Sequence, residues 1–428
     1  MRKKARFVLM ALALTGLIPG SANADGGNTP RYYERITDMS LLESGKYYLV
    51  VCPYRNQDDN IVYMAYNGYY DDLDETVWKR HAGKAGTVVP VNEIIDLGKS
   101  ENHAVPLKLT ANTSVSGTVW NITEESLAPN DDIIGVNNAT TGESQNYLVA
   151  SAETDINETT NLWYVNIDDE GVAFVKNYFK TYYYLKYDDN NYGGDDSFFR
   201  VYPGINEKWD LILYKEMETV DAKTSFTGHG TLYYSNKTLL VPEVVTAKTY
   251  TLGTDRVYSN EEYSTGSFIP ANSAVVLHGN VNTTYTFPVT LRQHPTRDAD
   301  NILLGFDNAS TTTTGNAAAD NDYYFYKLTT NKQRNPNSVG FYWSVEDGLP
   351  FTSAAHKAFL AIEKDRAANV REFLLGDEGS FVTDIQLIEA VPSTDTDIVY
   401  DLSGRKFRKT DSLPKGIYIS NGKKIVIR

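Results

Sequence analysis

The chain has 428 residues, 41% of them hydrophobic, with 40 basic and 55 acidic side chains and a net charge of −15. That length allows two or three domains, each with its own core. The acidic balance argues against nucleic acid and anionic membranes as partners, and the single Cys, Cys52, excludes internal disulfides and thiolate zinc clusters.

The first residues read as an export leader. Arg2, Lys3, Lys4 and Arg6 form a basic start, Phe7 to Ile18 an apolar run too short to span a bilayer, and Pro19-Gly20 a break. Ala22-Asn23-Ala24 supplies small residues at a cleavage site, so residues 1–24 are expected to be removed after Ala24. A secreted or outer-surface product follows. No Cys follows the apolar run to carry a lipid, and no later segment is apolar for long enough to be a transmembrane helix. The leader holds four basic residues and no acid. The stretch from Ile398 onward carries eight Lys or Arg against two Asp, so the body between is the most acidic part. Such a surface serves solubility, with cation binding the sharper alternative.

Residues 31–217 read as a first β domain. Tyr47 to Cys52 has a strand pattern, and Cys52 within it is a small buried apolar residue before it is a nucleophile. Asn161 to Asn177 reads as a hairpin turning at Asp168-Asp169-Glu170-Gly171. Tyrosines outnumber phenylalanines, 31 to 16, and their polar-tipped rings suit both half-wet binding faces and strand packing. Trp120, Trp163 and Trp209 recur at similar intervals. Tyr147-Leu148 precedes the second and Tyr184-Leu185 the third. This cadence resembles a ricin-like β-trefoil, whose repeats contribute a Trp each and often bind sugars. The resemblance implies a core role for Trp163. The first unit, around Tyr47 to Trp78, fits the cadence poorly, so a sandwich or up-and-down barrel stays open.

The best ligand candidate is the loop within Tyr184 to Phe199. Tyr187, Asp188, Asn190, Asn191 and Tyr192 put carboxylate, amide and aromatic groups side by side, the mixture that a sugar's hydroxyls and apolar face require. Asp188, Asp189, Asp195 and Asp196 offer the oxygens a calcium ion needs, and calcium is the one cofactor that suggests itself. An EF-hand is excluded: Tyr192 and Phe199 occupy ligand positions, and the bidentate Glu is missing. A solvated hairpin loop is the plainer reading.

Glu216 to Thr224 is polar and is taken as the first linker, followed by a second β domain over 222–388. In it Ala274 to Leu277 is a continuous apolar run and Thr284 to Val289 alternates. Asn308 to Asp322 reads as a loop. Ala354 to Asn369 is the best helical candidate, although Lys357 to Ile362 fits a strand as well. The strings TLYYSNKTLLVPEVVTAKTYTL, NSVGFYW and AHKAFLAIE resemble a module of exported bacterial proteins that has no assigned activity. Glu346-Asp347, after Trp343, is the carboxylate pair to suspect in a hidden glycosidase, and a hairpin turn otherwise.

Glu389 to Asp397 is a Pro/Ser/Thr/Asp tether. Beyond it, residues 398–428 end in two alternating runs around Asn421-Gly422, the strongest short hairpin signal. The pattern YDLSGR, PKGIYI and GKK resembles the C-terminal sorting domain of the type IX secretion system of Bacteroidetes-type bacteria. It matches at Leu402, Gly404, Arg405, Pro414, Gly416, Tyr418, Lys423 and Lys424. The resemblance implies a secretion-machinery partner for the tail.

The fold expected is all-β: two sandwich or barrel domains, the first trefoil-like, and a small C-terminal hairpin module. No nucleophile elbow, P-loop, dinucleotide fingerprint or zinc-protease motif occurs, and the six His residues lack metal spacing. Two functions fit. One is a non-catalytic exported binding or adhesion protein whose first domain faces a glycan or host protein. The other is a secreted glycosidase or peptidase with a carboxylate pair that no motif marks. A structural role in a surface layer is a third.

Overall fold

The structure, a computed structural model, describes residues 31–70, 80–115, 117–125, 132–136, 148–151, 161–180, 182–189, 198–204, 210–253, 256–292, 297–331, 333–367, 370–376, 398–401, 406–408, 416–420 and 423–427. It is all-β: the described helices are short 3-10 turns and the four residues Lys364–Ala367. Contacts divide the chain into one unit up to Leu375 and a second from Gly376. No described helix is long and apolar enough to cross a membrane.

Residues 31–216 are built round a six-stranded barrel. Its strands are Lys46–Arg55, Leu107–Asn112, Val119–Glu124, Leu162–Ile167, Ala173–Asn177 and Ile212–Glu216. Neighbours in that order pair antiparallel, and the last pairs back to the first. Ala173 closes the remaining gap, donating its amide to the Leu211 carbonyl at 2.7 Å. Two further strands occupy equivalent places in each third of residues 31–216: Ile61–Tyr66 and Arg80–Ala82, Asp132–Val136 and Leu148–Ser151, Tyr183–Asp188 and Phe198–Pro203, with the two-residue Tyr69–Tyr70 added beside Arg80–Ala82 in the first. Members of the three sets meet. Arg80–Ala82 pairs with Leu148–Ser151, and Lys84 bridges Phe198. A barrel strand, two cap strands and a barrel strand therefore recur three times, which is the β-trefoil arrangement. At the cap, Gly83 has φ +107°, and a Cβ there would lie 2.2 Å from the Phe199 carbonyl oxygen, so only glycine permits the approach.

The threefold order is not the one the Trp spacing marks. Trp120 and Trp163 face each other on paired strands, the first and last barrel strands of the same third. Leu148 lies on the second cap strand of its third and Tyr184-Leu185 on the first cap strand of the next. Trp209 lies outside the described residues. The first third fits poorly because Ala85–Val88 and Ile94–Asp96 are inserted in it. Trp163 is core, buried, with its indole N–H donated to the Ile134 carbonyl at 2.9 Å. Along Tyr48 to Cys52 the alternation buries both faces. Tyr48, Val50 and Cys52 point into the barrel, while Leu49 and Val51 pack outward against Tyr33 and Ile95.

The expected linker is absent. Glu216 ends a barrel strand, Met217 follows, and Glu218–Lys223 is a strand of the second domain. The polar sequence misleads because an edge strand wets its outer side chains; Glu218–Lys223 has only one neighbour in its sheet. The junction is packed: Met217 clusters with Ile94 and Leu240, and its amide donates to the Tyr32 carbonyl at 2.8 Å. Glu34, wholly buried, accepts from the Thr290 hydroxyl and the Leu291 amide, each at 2.6 Å, and from Arg292 Nε at 3.2 Å.

The second domain holds a four-stranded sheet and a nine-stranded one. The larger runs from His229–Leu232 to Leu303–Phe306 and curls until its ends approach, with the Tyr233 amide donating to the His356 carbonyl at 3.2 Å. One core fills the curl. Another separates the two sheets. The run Ala274 to Leu277 is apolar throughout because its strand serves both: Ala274 and Val276 face the first core, Val275 and Leu277 the second. Lys357–Glu363 is a strand, with Ala358, Leu360 and Ile362 in the core, and a single helical turn follows it.

The second unit contains a four-stranded antiparallel sheet: Lys406–Arg408, Ile398–Asp401, Gly416–Ser420 and Lys423–Ile427, in that order. Ser420 pairs with Lys423, so two residues join the last strands, as the Asn-Gly signal requires. Tyr418 is buried, its ring edge-on to Phe407 at 5.7 Å. Leu402, Gly404, Arg405 and Pro414 lie outside the described residues.

Candidate functional site

The structure separates the members of the loop candidate. Tyr187 lies on the cap strand Tyr183–Asp188 and is 3% exposed, its ring 5.3 Å from Tyr54 and 5.7 Å from Phe199. A ring in the barrel core offers no face to a sugar, so its binding role is corrected to packing. Asp188 is also 3% exposed. It accepts from the Tyr202 hydroxyl and pairs with Arg200 at 3.6 Å, so its charge is met by protein and not held for calcium. Asp189 accepts from the Tyr54 hydroxyl at 2.5 Å. Asn190, Asn191, Tyr192, Asp195 and Asp196 lie outside the described residues. Among the described residues no group of three or more His, Cys, Asp or Glu could hold a metal ion.

Two other titratable side chains resolve as structure. Cys52 is buried in the first core, and burial pushes its thiol up to about 12. His278 lies on a central strand, its Nε2 2.9 Å from the Tyr250 hydroxyl and its ring edge-on to His229 at 4.7 Å. Burial, then the charges of His229 and Lys248, lower it to about 3, which keeps the imidazole neutral.

The residues that converge lie on the second domain. An open cleft of about 780 Å³ is lined by Tyr342, Trp343, Glu346, Asp347, Arg371 and Glu372, with the amides of Asn331 and Gln333 at its wall. Strand alternation creates it. On Gly340–Trp343, Phe341 enters the core, while Tyr342 turns outward between Lys327 on one neighbouring strand and Glu372 on the other. The Tyr342 hydroxyl donates to the Ser338 carbonyl at 2.7 Å, which fixes the ring. Trp343 packs against Tyr324 at 4.9 Å, and the Arg371 guanidinium lies 5.6 Å from its ring centroid. Glu346 and Asp347 sit on a one-turn 3-10 helix in which Asp347 has φ +58°. Both are exposed. They lack the apolar enclosure a general acid needs, so the pair reads as a turn with carboxylates free for hydroxyl recognition.

Trp343 and Glu346-Asp347 stand out in the sequence. Arg371, Glu372 and Asn331 do not, because separate strands and turns bring them in, and their sequence contexts are ordinary.

No protein-family model and no curated protein matches the sequence. A solved structure, that of a mosquitocidal holotoxin, is similar at TM-score 0.30 and 10% identity, over 75% of this chain and 34% of that one. The chain spans about a third of that protein's length.

Proposed function

We propose that this chain is an exported, non-catalytic binding protein that holds an extracellular glycan in the cleft around Trp343. The observation that carries the reading is the lining of that cleft: the outward Tyr342, Trp343, which also packs on the core, two amides, an arginine and three carboxylates. Sugars need directed polar groups for their hydroxyls and ring faces for their C–H surfaces. A glycan site on the first domain keeps the trefoil arrangement in its favour, but not Tyr187 or Asp188, which are engaged in packing and pairing. The leader and the tail supply the address. Residues 1–24 direct export. Leu402, Gly404, Arg405, Gly416, Tyr418, Lys423 and Lys424 are read by the secretion machinery.

Glycan-array binding by residues 25–428 tests the function, with Tyr342→Ala and Trp343→Ala beside the wild type. Binding that falls at least tenfold in either variant, about 1.4 kcal/mol, is expected. No binding to any glycan, or equal binding by the variants, refutes it. Polysaccharide cleavage that vanishes in Glu346→Gln would favour the hydrolase instead. Fractionation with intact-mass measurement checks the address: an uncleaved chain in the cytosol removes it.

A further inference from the structure

A second cleft, about 580 Å³, adjoins the first, and Thr329 and Thr330 line both. Lys223, Lys327 and Lys357 line it, with no Asp or Glu. In a chain with 55 acidic and 40 basic residues this local excess of cations runs against the whole. The fold gathers them from two sheets. Lys223 ends the strand that follows the junction. Lys327 and Lys357 lie on neighbouring strands of the curled sheet and point away from its core, as Phe325 and Phe359 do.

None of the three has a carboxylate partner among the described residues. Lys357 is half-buried, and among the described residues its one polar contact is donation to the Thr231 carbonyl at 3.4 Å. Its ammonium thus keeps unmet donors in a desolvated place, and burial lowers its pKa accordingly. An anion entering the cleft would relieve that cost. Phe226 forms an apolar wall, with the Arg334 guanidinium 4.8 Å from its ring centroid.

We infer that this cleft binds the carboxylate or sulfate group of an acidic saccharide, while the neutral part of the same ligand continues past Thr329 and Thr330 into the Trp343 cleft. The saccharide half rests on the proposed glycan function; the oxyanion half rests on the lysines alone. Ammonium groups satisfy an oxyanion by charge and by several donors at once.

Calorimetric titration of the mature chain tests it, with a uronate oligosaccharide, a sulfated oligosaccharide, a neutral oligosaccharide and inorganic sulfate as probes. One acidic oligosaccharide is expected to bind more tightly than the neutral one, to weaken as salt rises, and to compete with sulfate. Lys327→Gln and Lys357→Gln should each weaken it at least tenfold, and Lys357→Arg should restore most of the affinity. Circular dichroism melts confirm that the variants fold. Acidic and neutral sugars bound equally, with the Lys→Gln variants unchanged, would overturn the inference while the glycan function stands. Sulfate bound with no saccharide overturns the saccharide assignment and the glycan function together. No binding of any acidic probe overturns it outright.

Discussion

Glu34→Ala tests whether the two domains of the larger unit are joined by packing. The Glu34 carboxylate is 0% exposed and serves the Thr290 hydroxyl, the Leu291 amide and Arg292 Nε. Alanine orphans the buried Thr290 hydroxyl, worth about 1–3 kcal/mol, and the part-exposed Leu291 amide, worth about 0.5–1 kcal/mol. The ionic loss is smaller than for a fully buried pair. Arg292 is 33% exposed and keeps Glu93 at 2.7 Å, so water and a second carboxylate screen it. The sum is about 2–4 kcal/mol. Urea denaturation of the intact chain reads it as a lower midpoint, and hydrogen exchange at the Leu291 amide reads it locally. Thr290→Val completes a double-mutant cycle, with about 1 kcal/mol of coupling to Glu34 expected. A loss under about 1 kcal/mol, or strict additivity, would show that the junction is a loose connection and that the carboxylate was never structural.

Three further outcomes follow from buried groups. Cys52 should resist thiol reagents in the native chain at pH 8 and react only on unfolding, because its thiol is pushed up to about 12; rapid native labelling contradicts this. Asp188→Asn should cost about 3–5 kcal/mol in chemical denaturation, since Arg200 loses its buried counter-ion; an unchanged midpoint would reopen a ligand role for the loop. His278 is held at about 3 in the fold against 6.5 unfolded, so the unfolded chain alone takes up a proton between those values. The cost is absent above pH 6.5 and grows by about 1.4 kcal/mol per pH unit as pH falls toward 3. His278→Asn should remove that part of the acid sensitivity, and parallel pH–stability curves for variant and wild type would show that the group does not titrate this way.

The local signals lay in the chain itself. Alternation and Gly/Asn/Asp punctuation specify strands and turns within a few residues, which is why the all-β class, the Asp168–Gly171 hairpin and the two-residue terminal turn were legible. The doubly apolar stretches at Tyr48 to Cys52 and Ala274 to Leu277 announced strands buried on both faces, without saying which cores they divide. What tertiary structure decided was assembly. The trefoil order emerged from pairing between distant strands, since the Trp spacing joins positions that are not equivalent. Glu218–Lys223 looked like a linker, because an edge strand and a tether share the same polar composition. Tyr187 and Asp188 looked like ligand groups until the fold enclosed them. The Trp343 cleft gathers side chains from separate strands and turns, its lysine-lined neighbour gathers some more than a hundred residues apart, and a one-dimensional pattern holds no record of which surfaces a curled sheet brings face to face.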